Sequence, residues 1–259
     1  MESLCDLLFE VSNEDRLRIL KALLEEPMNL TALARSLDFS TQEASRHAAR
    51  LSDVGLAVKD SNGLYALTPY GRLTLDQLQG IEFTSRHRDY FSTHTAEGLP
   101  PEYGARLREL SGATLVEDVM VVVHEIEKII REAEEYIYRL TDRYLMMALP
   151  DLEMAVDRGV EFRLMRTRDF EFPPDWPGEG VILNEARLRG RFQIRASDSA
   201  LMFIAMSEKE VAALAFPNAE GRFDYLGFTA SDVETHRWCR DLYLHYWDAA
   251  RIPESLRPY

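Results

Sequence analysis

From Leu17 to Leu24 apolar residues recur at three- and four-residue spacing: Leu17, Leu20, Leu23 and Leu24, with Ile19 widening the stripe. That period predicts a helix with one inward face. Ser12 or Asn13 can cap it, Glu14 and Asp15 fill its first turn, and Pro27 stops it. The segment before it, LCDLLFEV, is apolar for an exposed helix, so it should pack on its own domain or on a partner subunit. Asn29 or Thr31 opens a second helix with Leu30, Leu33, Ala34 and Leu37 inward, and Asp38-Phe39 makes a turn. Ser40-Thr41-Gln42-Glu43 spells a capping box for a third helix, with Ala44, Ala48 and Leu51 inside and Gly55 at its end. Leu56 to Lys59 and Leu64 to Leu67 are short strand-like runs around Asp60-Ser61-Asn62-Gly63, and Asn-Gly is a strong hairpin signal. Thr68 caps and Pro69 starts a longer helix carrying Tyr70, Leu73, Leu75, Leu78 and Ile81 on its apolar side.

Helix, short helix, turn, capped helix and hairpin follow one another in the order of a winged helix-turn-helix, which lays its second helix in the DNA major groove. The outer face of the predicted Ser40 to Asp53 helix holds Gln42, Ser45, Arg46, His47 and Arg50. Arginine can bond guanine through two parallel bonds, glutamine suits adenine, and serine serves bases or phosphates. Gln42, Ser45 and Arg46 are therefore the candidate base readers, and Arg35 and Arg50 the candidate phosphate contacts. Ser40 and Thr41 at the helix start complete the candidate surface, with Lys59 and Asn62 on the wing. A plain solvated face would carry similar residues; the order of elements is what favours DNA.

Past this module the pattern changes. His94 to Pro101, with Gly98, Pro100 and Pro101, reads as a boundary, dividing a DNA-binding domain with its linker helix (1–93) from a second domain (94–259). Ala113 to Val123 is apolar and ambiguous between strand and helix, and Glu125 to Glu135 is a charged amphipathic helix. Tyr136 to Leu140 and Val160 to Met165 read as strands around a helix from Leu149 to Arg158. This alternation predicts a parallel sheet, hence an α/β fold overall. Phe170 to Gly180 reads as a loop, followed by strands at Arg191 to Arg195, Leu201 to Met206 and Val211 to Phe216. Ser231 is read as the cap of a final helix from Asp232 to Ala250, with Val233, Trp238, Leu242, Tyr246 and Trp247 buried.

At 259 residues the chain is long enough for two cores, and its apolar (46%) and charged (29%) fractions are those of a soluble globular protein. No apolar run approaches a membrane span, and the acidic start MESLCDLLFEVSNEDR lacks the basic flank of a signal peptide. The expectation is a cytoplasmic protein without membrane contact. Cys5 and Cys239 lie far apart, outside any metal-ligand spacing, and are read as partly buried apolar side chains. The net charge of −14 opposes nonspecific phosphate binding. It leaves room for a local basic stripe and predicts modest, salt-dependent DNA affinity.

Three stretches carry a family resemblance: LPPEYGARLREL (Leu99 to Leu110), DRGVEFRLM (Asp157 to Met165) and WCRDLYLHYW (Trp238 to Trp247). With the layout around them, the chain resembles archaeal winged-helix transcriptional regulators whose C-terminal part is the methanogenesis-regulator (FilR-type) domain. The resemblance implies a dimeric regulator. It also implies a C-terminal α/β sheet domain distantly like the phospholipase D fold, without its catalysis. The phospholipase D signature needs His-x-Lys, yet His124 is followed by Glu-Ile and His245 by Tyr-Trp. A Gly-rich phosphate loop, a GxSxG elbow and HExxH are likewise missing from the sequence, so no catalytic residue, cofactor or metal is expected.

Arginines crowd Ile182 to Asp198, where Arg187, Arg189, Arg191 and Arg195 follow Arg163 and Arg166. In a parallel sheet such a cluster could hold a carboxylate or phosphate; an ion-paired surface is the stronger alternative. Tyr138, Phe162, Phe192, Phe203, Tyr225 and Trp238 could line an apolar effector pocket or simply be core. The expected function is a homodimeric, ligand-controlled, sequence-specific regulator of double-stranded DNA. A small-molecule sensor or protein–protein adaptor with a weak or vestigial DNA module is the alternative.

Overall fold

A computed structural model describes residues 4–176, 178–198 and 201–253. Met1, Glu2 and Ser3, part of the acidic start read above, lie outside the described residues. The chain divides into two compact units, Met1–Ile81 and Glu82–Tyr259.

In the first unit α1 (Leu4–Val11) and α2 (Glu14–Glu25) precede a two-residue strand β1 (Met28–Asn29). Then come α3 (Leu30–Leu37), α4 (Thr41–Asp53), β2 (Ala57–Lys59), β3 (Leu64–Leu67) and the start of α5 (Pro69–Arg86). The strands form an antiparallel sheet in the order β1-β3-β2, with Met28 opposite Tyr65 and Val58 opposite Ala66. The starts of α2, α3 and α4 are each set by a side chain. Asn13 accepts from the Arg16 amide, Asn29 from Ala32 and Ser40 from Glu43. At α4 the carboxylate of Glu43 accepts from the Ser40 amide in return (3.0 Å), closing the capping box. Asp38, at φ 57°, makes the turn between α3 and α4 in the left-handed region that short polar side chains tolerate. Ile19, Leu20, Leu23, Leu33, Ala48, Leu51, Leu56 and Leu75 build the core. The helices and the hairpin follow the predicted order, with one strand added that the sequence pattern concealed, since Met28 and Asn29 are too few to show alternation.

The second unit begins inside α5, at Glu82. Phe83 is buried there with Tyr90 of the short helix α6 (Arg88–Phe91) and Phe228. This moves the division from 93/94 to 81/82: residues 82–93 pack their aromatic side chains into the second unit. The longer helix predicted from Pro69 ends at Arg86, and α6 follows after His87. Next come α7 (Pro101–Gly104), β4 (Thr114–Val116), α8 (Val119–Glu132), β5 (Tyr136–Arg143), α9 (Leu149–Asp157) and β6 (Glu161–Glu171). They are followed by α10 (Val181–Leu188), β7 (Phe192–Ala196), β8 (Phe203–Ser207), β9 (Val211–Ala215), β10 (Gly227–Ala230) and α11 (Val233–Ala249). Seven strands lie in the order β4-β10-β9-β8-β5-β6-β7. β5, β6 and β7 are parallel, as the alternation predicted; β8, β9, β10 and β4 add on antiparallel.

One face of the sheet packs with Val122, Ile126, Ile129, Leu152, Val156 and Leu183 of α8, α9 and α10. The other packs with Trp238, Leu242, Tyr243, Tyr246 and Trp247 of α11. Alternation along β5 assigns Ile137 to the first core and Tyr138 and Leu140 to the second. α10 was not predicted; only Leu183 and Ala186 of its eight residues are buried, so it carries too short an inward stripe to show a helical period. Asp232, not Ser231, caps α11, accepting from the Thr235 amide at 2.9 Å. Val233, expected to be buried, is exposed. Cys239 is fully buried and Cys5 exposed, so only one of the two behaves as an inward apolar side chain.

Candidate nucleic-acid interface

Four of the candidate residues stand outward together. Thr41, Gln42, Ser45 and Arg46 are exposed on the first two turns of α4, where with Leu30, Ser40 and Glu43 they line a shallow concavity. Arg35 is exposed at the end of α3. Ser40 belongs to the surface but its hydroxyl is engaged, donating to the Glu43 carboxylate at 2.7 Å. The Ser40 bonds hold the Glu43 carboxyl below its usual range, so the cap stays ionised and closed at neutral pH.

Two other candidates differ from these: His47 is not on the outer face, and Arg50 is outward as expected but engaged by an acid. His47 was expected on the outer face and is 7% exposed. Its ring lies 6.4 Å from that of Phe39, and its Nε2 lies 3.7 Å from Asp15 and 3.4 Å from Arg46. Burial pushes its pKa down, and the neighbouring Arg46 adds to the effect. It therefore packs into the unit, with its Nε2 against the Arg46 guanidinium, and is not part of the outward surface. Arg50 keeps an exposed side chain, but its guanidinium donates to both oxygens of Glu10, at 3.0 and 3.1 Å from Nε. Glu10 itself is 2% exposed. The hydrogen bond from Arg50 is the main reason its carboxyl lies below the ordinary range. Arg16 lies 3.5 Å from the same carboxylate and donates to the Glu10 carbonyl at 2.7 Å. Glu10 thus ties α1, α2 and α4 together, and Arg50 is a structural cation whose charge is largely matched. The sequence reading missed Glu10. The signal was an acid inside the otherwise apolar run LCDLLFEV.

The wing is built as expected. Asp60 accepts from the amides of Asn62 and Leu64 (2.9 and 2.8 Å), and Gly63 takes φ 83°. Asn62 and Lys59 are exposed at the tip, with the Lys59 ammonium 5.5 Å from the Tyr65 ring centre. Asp60 therefore folds the tip with its own charge, leaving Lys59 as the outward cation.

The arginines offered as a ligand site do not converge. Arg166 and Arg187 share Glu179, at 3.6 and 2.8 Å. Arg163 lies against Tyr138 and Trp247 and pairs with Glu161. Arg195 bonds the Trp247 carbonyl at 2.6 Å. Arg189 pairs with Glu185 at 3.1 Å, and Arg191 lines a small cleft beside it with Asp157. Alternation along β6 sends Arg163 and Arg166 to opposite faces, so spacing in the sequence does not become proximity in space. Among the described residues no group of His, Cys, Asp and Glu is placed to hold a metal, and no helix is long and apolar enough to cross a membrane.

Residues 5–88, about a third of the chain, match the family described as the HVO_A0261 N-terminal domain. No curated protein sequence matches the chain. Among solved structures, the chain is similar to TrmBL2, described as an archaeal chromatin protein showing a novel mode of DNA binding. That pair is 16% identical, covers 95% of this chain and 97% of that one, and has a TM-score of 0.43. NucT from Helicobacter pylori is 10% identical over 54% of this chain and 97% of its own, with a TM-score of 0.37. Nuc from Salmonella typhimurium, a phospholipase D family member, is 11% identical over 49% of this chain and 88% of its own, with a TM-score of 0.34. All three scores lie below one half, so the case for DNA rests on this chain's own residues.

Proposed function

We propose that the protein is a homodimeric, sequence-specific DNA-binding transcription regulator controlled by a ligand held in its second unit. One observation carries the DNA assignment: a helix closed by a complete capping box presents Gln42, Ser45 and Arg46 outward, beside a hairpin tipped by Lys59 and Asn62. A helix of this kind enters the major groove with its N-terminal residues at the base edges, and the wing flanks the backbone. Thr41 and Arg35 border that surface and suit phosphate. The second unit serves as the regulatory part, and the reading assigns it no catalysis.

Selection of bound sequences from a random DNA pool tests the reading. With the selected site in hand, Arg46→Ala should cost about 1–3 kcal/mol of specific binding and relax discrimination at one base position. Lys59→Ala should weaken all sequences alike and flatten the salt dependence. Unchanged affinity and discrimination in a folded Arg46→Ala variant would sink the assignment. The pairing of Arg50 with Glu10 favours a second reading, a ligand sensor whose DNA module is weak. Ligand binding with no enriched DNA sequence would select it.

A further inference from the structure

Arg139 sits in the middle of β5 on the face that carries Ile137, and it is 4% exposed. Its Nε is buried and has no hydrogen-bond partner, and its side chain forms no ion pair among the described residues. Burial pushes its pKa down to about 10. An unpaired guanidinium in such a place is costly, and stable proteins match such a charge with an acid or an anion.

Its neighbours do not supply one. Asp142, the nearest acid on the strand, bonds Arg143 (3.2 Å) and accepts from the Tyr225 hydroxyl (2.7 Å). Thr141 donates to the Arg143 carbonyl at 3.0 Å. The Tyr144 hydroxyl accepts from Arg166 and donates to Glu179. Arg139 alone among these groups lacks a partner.

It also lines a cavity of about 170 Å³ between α8 and the sheet. Val122, Val123, Ile126 and Phe203 make the walls, and exposed Val119 and Arg143 stand at the rim. Tyr225 closes one side from a backbone at φ 65°, a conformation that costs energy for a bulky residue and is held here by its bond to Asp142. The cavity lies toward the carboxyl end of a parallel strand, where open α/β sheets gather ligands. An aliphatic cavity of about 150 Å³ accepts benzene.

We propose that this cavity is a binding site for a small apolar monocarboxylate, with the carboxylate on Arg139 and a ring- or branched-chain-sized hydrocarbon part among Val122, Val123, Ile126 and Phe203. The site names the effector class for the ligand control proposed above and rests on that reading for its regulatory meaning. Binding itself does not depend on DNA.

The test is calorimetric titration of the full chain, without DNA, using phenylacetate, isovalerate and the neutral phenylacetamide. At least one acid should bind, and phenylacetamide should bind roughly tenfold or more weakly than phenylacetate, because a hydrogen bond to a charged group is lost. Arg139→Met should abolish acid binding while melting at or above the wild-type temperature, since it removes an unmatched buried charge. Val123→Phe fills the cavity, leaves Arg139 in place, and should also abolish binding. Binding of neither acid, equal binding of amide and acid, or undiminished binding in either folded variant would overturn the site. Acid binding without any selected DNA sequence would leave the site standing and remove the regulator; selected DNA without acid binding would do the reverse.

Discussion

His47 and Arg50 lie one turn apart on α4, and neither is a free surface group. Burial is the larger cause of the lowered His47 pKa, with Arg46 acting in the same direction. The folded protein therefore holds His47 neutral below the pH at which the unfolded chain, at about 6.5, takes up a proton. The unfolded state binds more protons in that window, so stability is complete above pH 6.5 and is lost as pH falls below it. The melting temperature should drop between pH 7.5 and 5.5, and His47→Gln should flatten that drop. His87, whose pKa is also lowered mainly by burial, leaves a residual slope of the same sign. A wild-type melting temperature that rises on acidification would contradict this account. The consequence for function is local: protonation of His47 disturbs the packing under Arg46, the residue assigned to base reading.

At the scale of elements, the joint between wing and α5 is the tightest place in the first unit. A Cβ on Gly71 would lie 2.0 Å from the Leu56 carbonyl oxygen, a backbone atom that cannot move aside. Thr68 locks the same joint, accepting from the Gly71 amide (2.9 Å) while donating to the Gly55 carbonyl (2.6 Å). Gly71→Ala should therefore destabilise the protein by about 1–3 kcal/mol, the usual cost of overpacking. Denaturant unfolding reads it, and an unchanged midpoint would mean that α5 can back away from the strand. Elements of this unit were legible in the sequence because their signals are local: Ser40 with Glu43, Asn62 with Gly63, Thr68 with Pro69. β1 was not, because it has two residues and exists only by pairing with β3. The same contrast divides the candidate sites. The outward placement of Gln42, Ser45, Arg46 and Arg50 is readable from helical period, whereas the burial of His47 beside Asp15 and the pairing of Arg50 with Glu10 are not, because those partners come from other helices. Arg139 was readable in principle: Ile137, Arg139 and Thr141 alternate onto one face of β5, and the face that holds Ile137 is core. The arginine-dense stretch after Ile182 draws attention first, yet Glu179 and Glu185 match Arg187 and Arg189, and Arg195 bonds the Trp247 carbonyl.

At the scale of the molecule, charge limits what one copy can do. The first unit carries eight Lys and Arg against twelve Asp and Glu. Arg50 is matched by Glu10, which leaves Arg35, Arg46 and Lys59 as the outward cations of the proposed DNA face. So few phosphate partners give weak binding with only a shallow dependence on salt. A second copy remedies this without new contacts, because the second half-site is then bound at high effective concentration. The first unit also exposes apolar side chains: Leu4, Leu8 and Phe9 on α1, and Tyr70 and Leu73 along one side of α5, with Leu73 60% exposed. Tyr70 and Leu73 lie on one side of the helix, an apolar surface on which the proposed dimer can be tested. Tyr70→Glu with Leu73→Glu should convert the proposed dimer into a folded monomer in sedimentation experiments. The same pair should lower affinity for a two-half-site operator on the order of a hundredfold, while leaving single-half-site binding unchanged. A wild-type chain that sediments as a monomer, or a double variant that keeps full operator affinity, would show that this face does not join the copies.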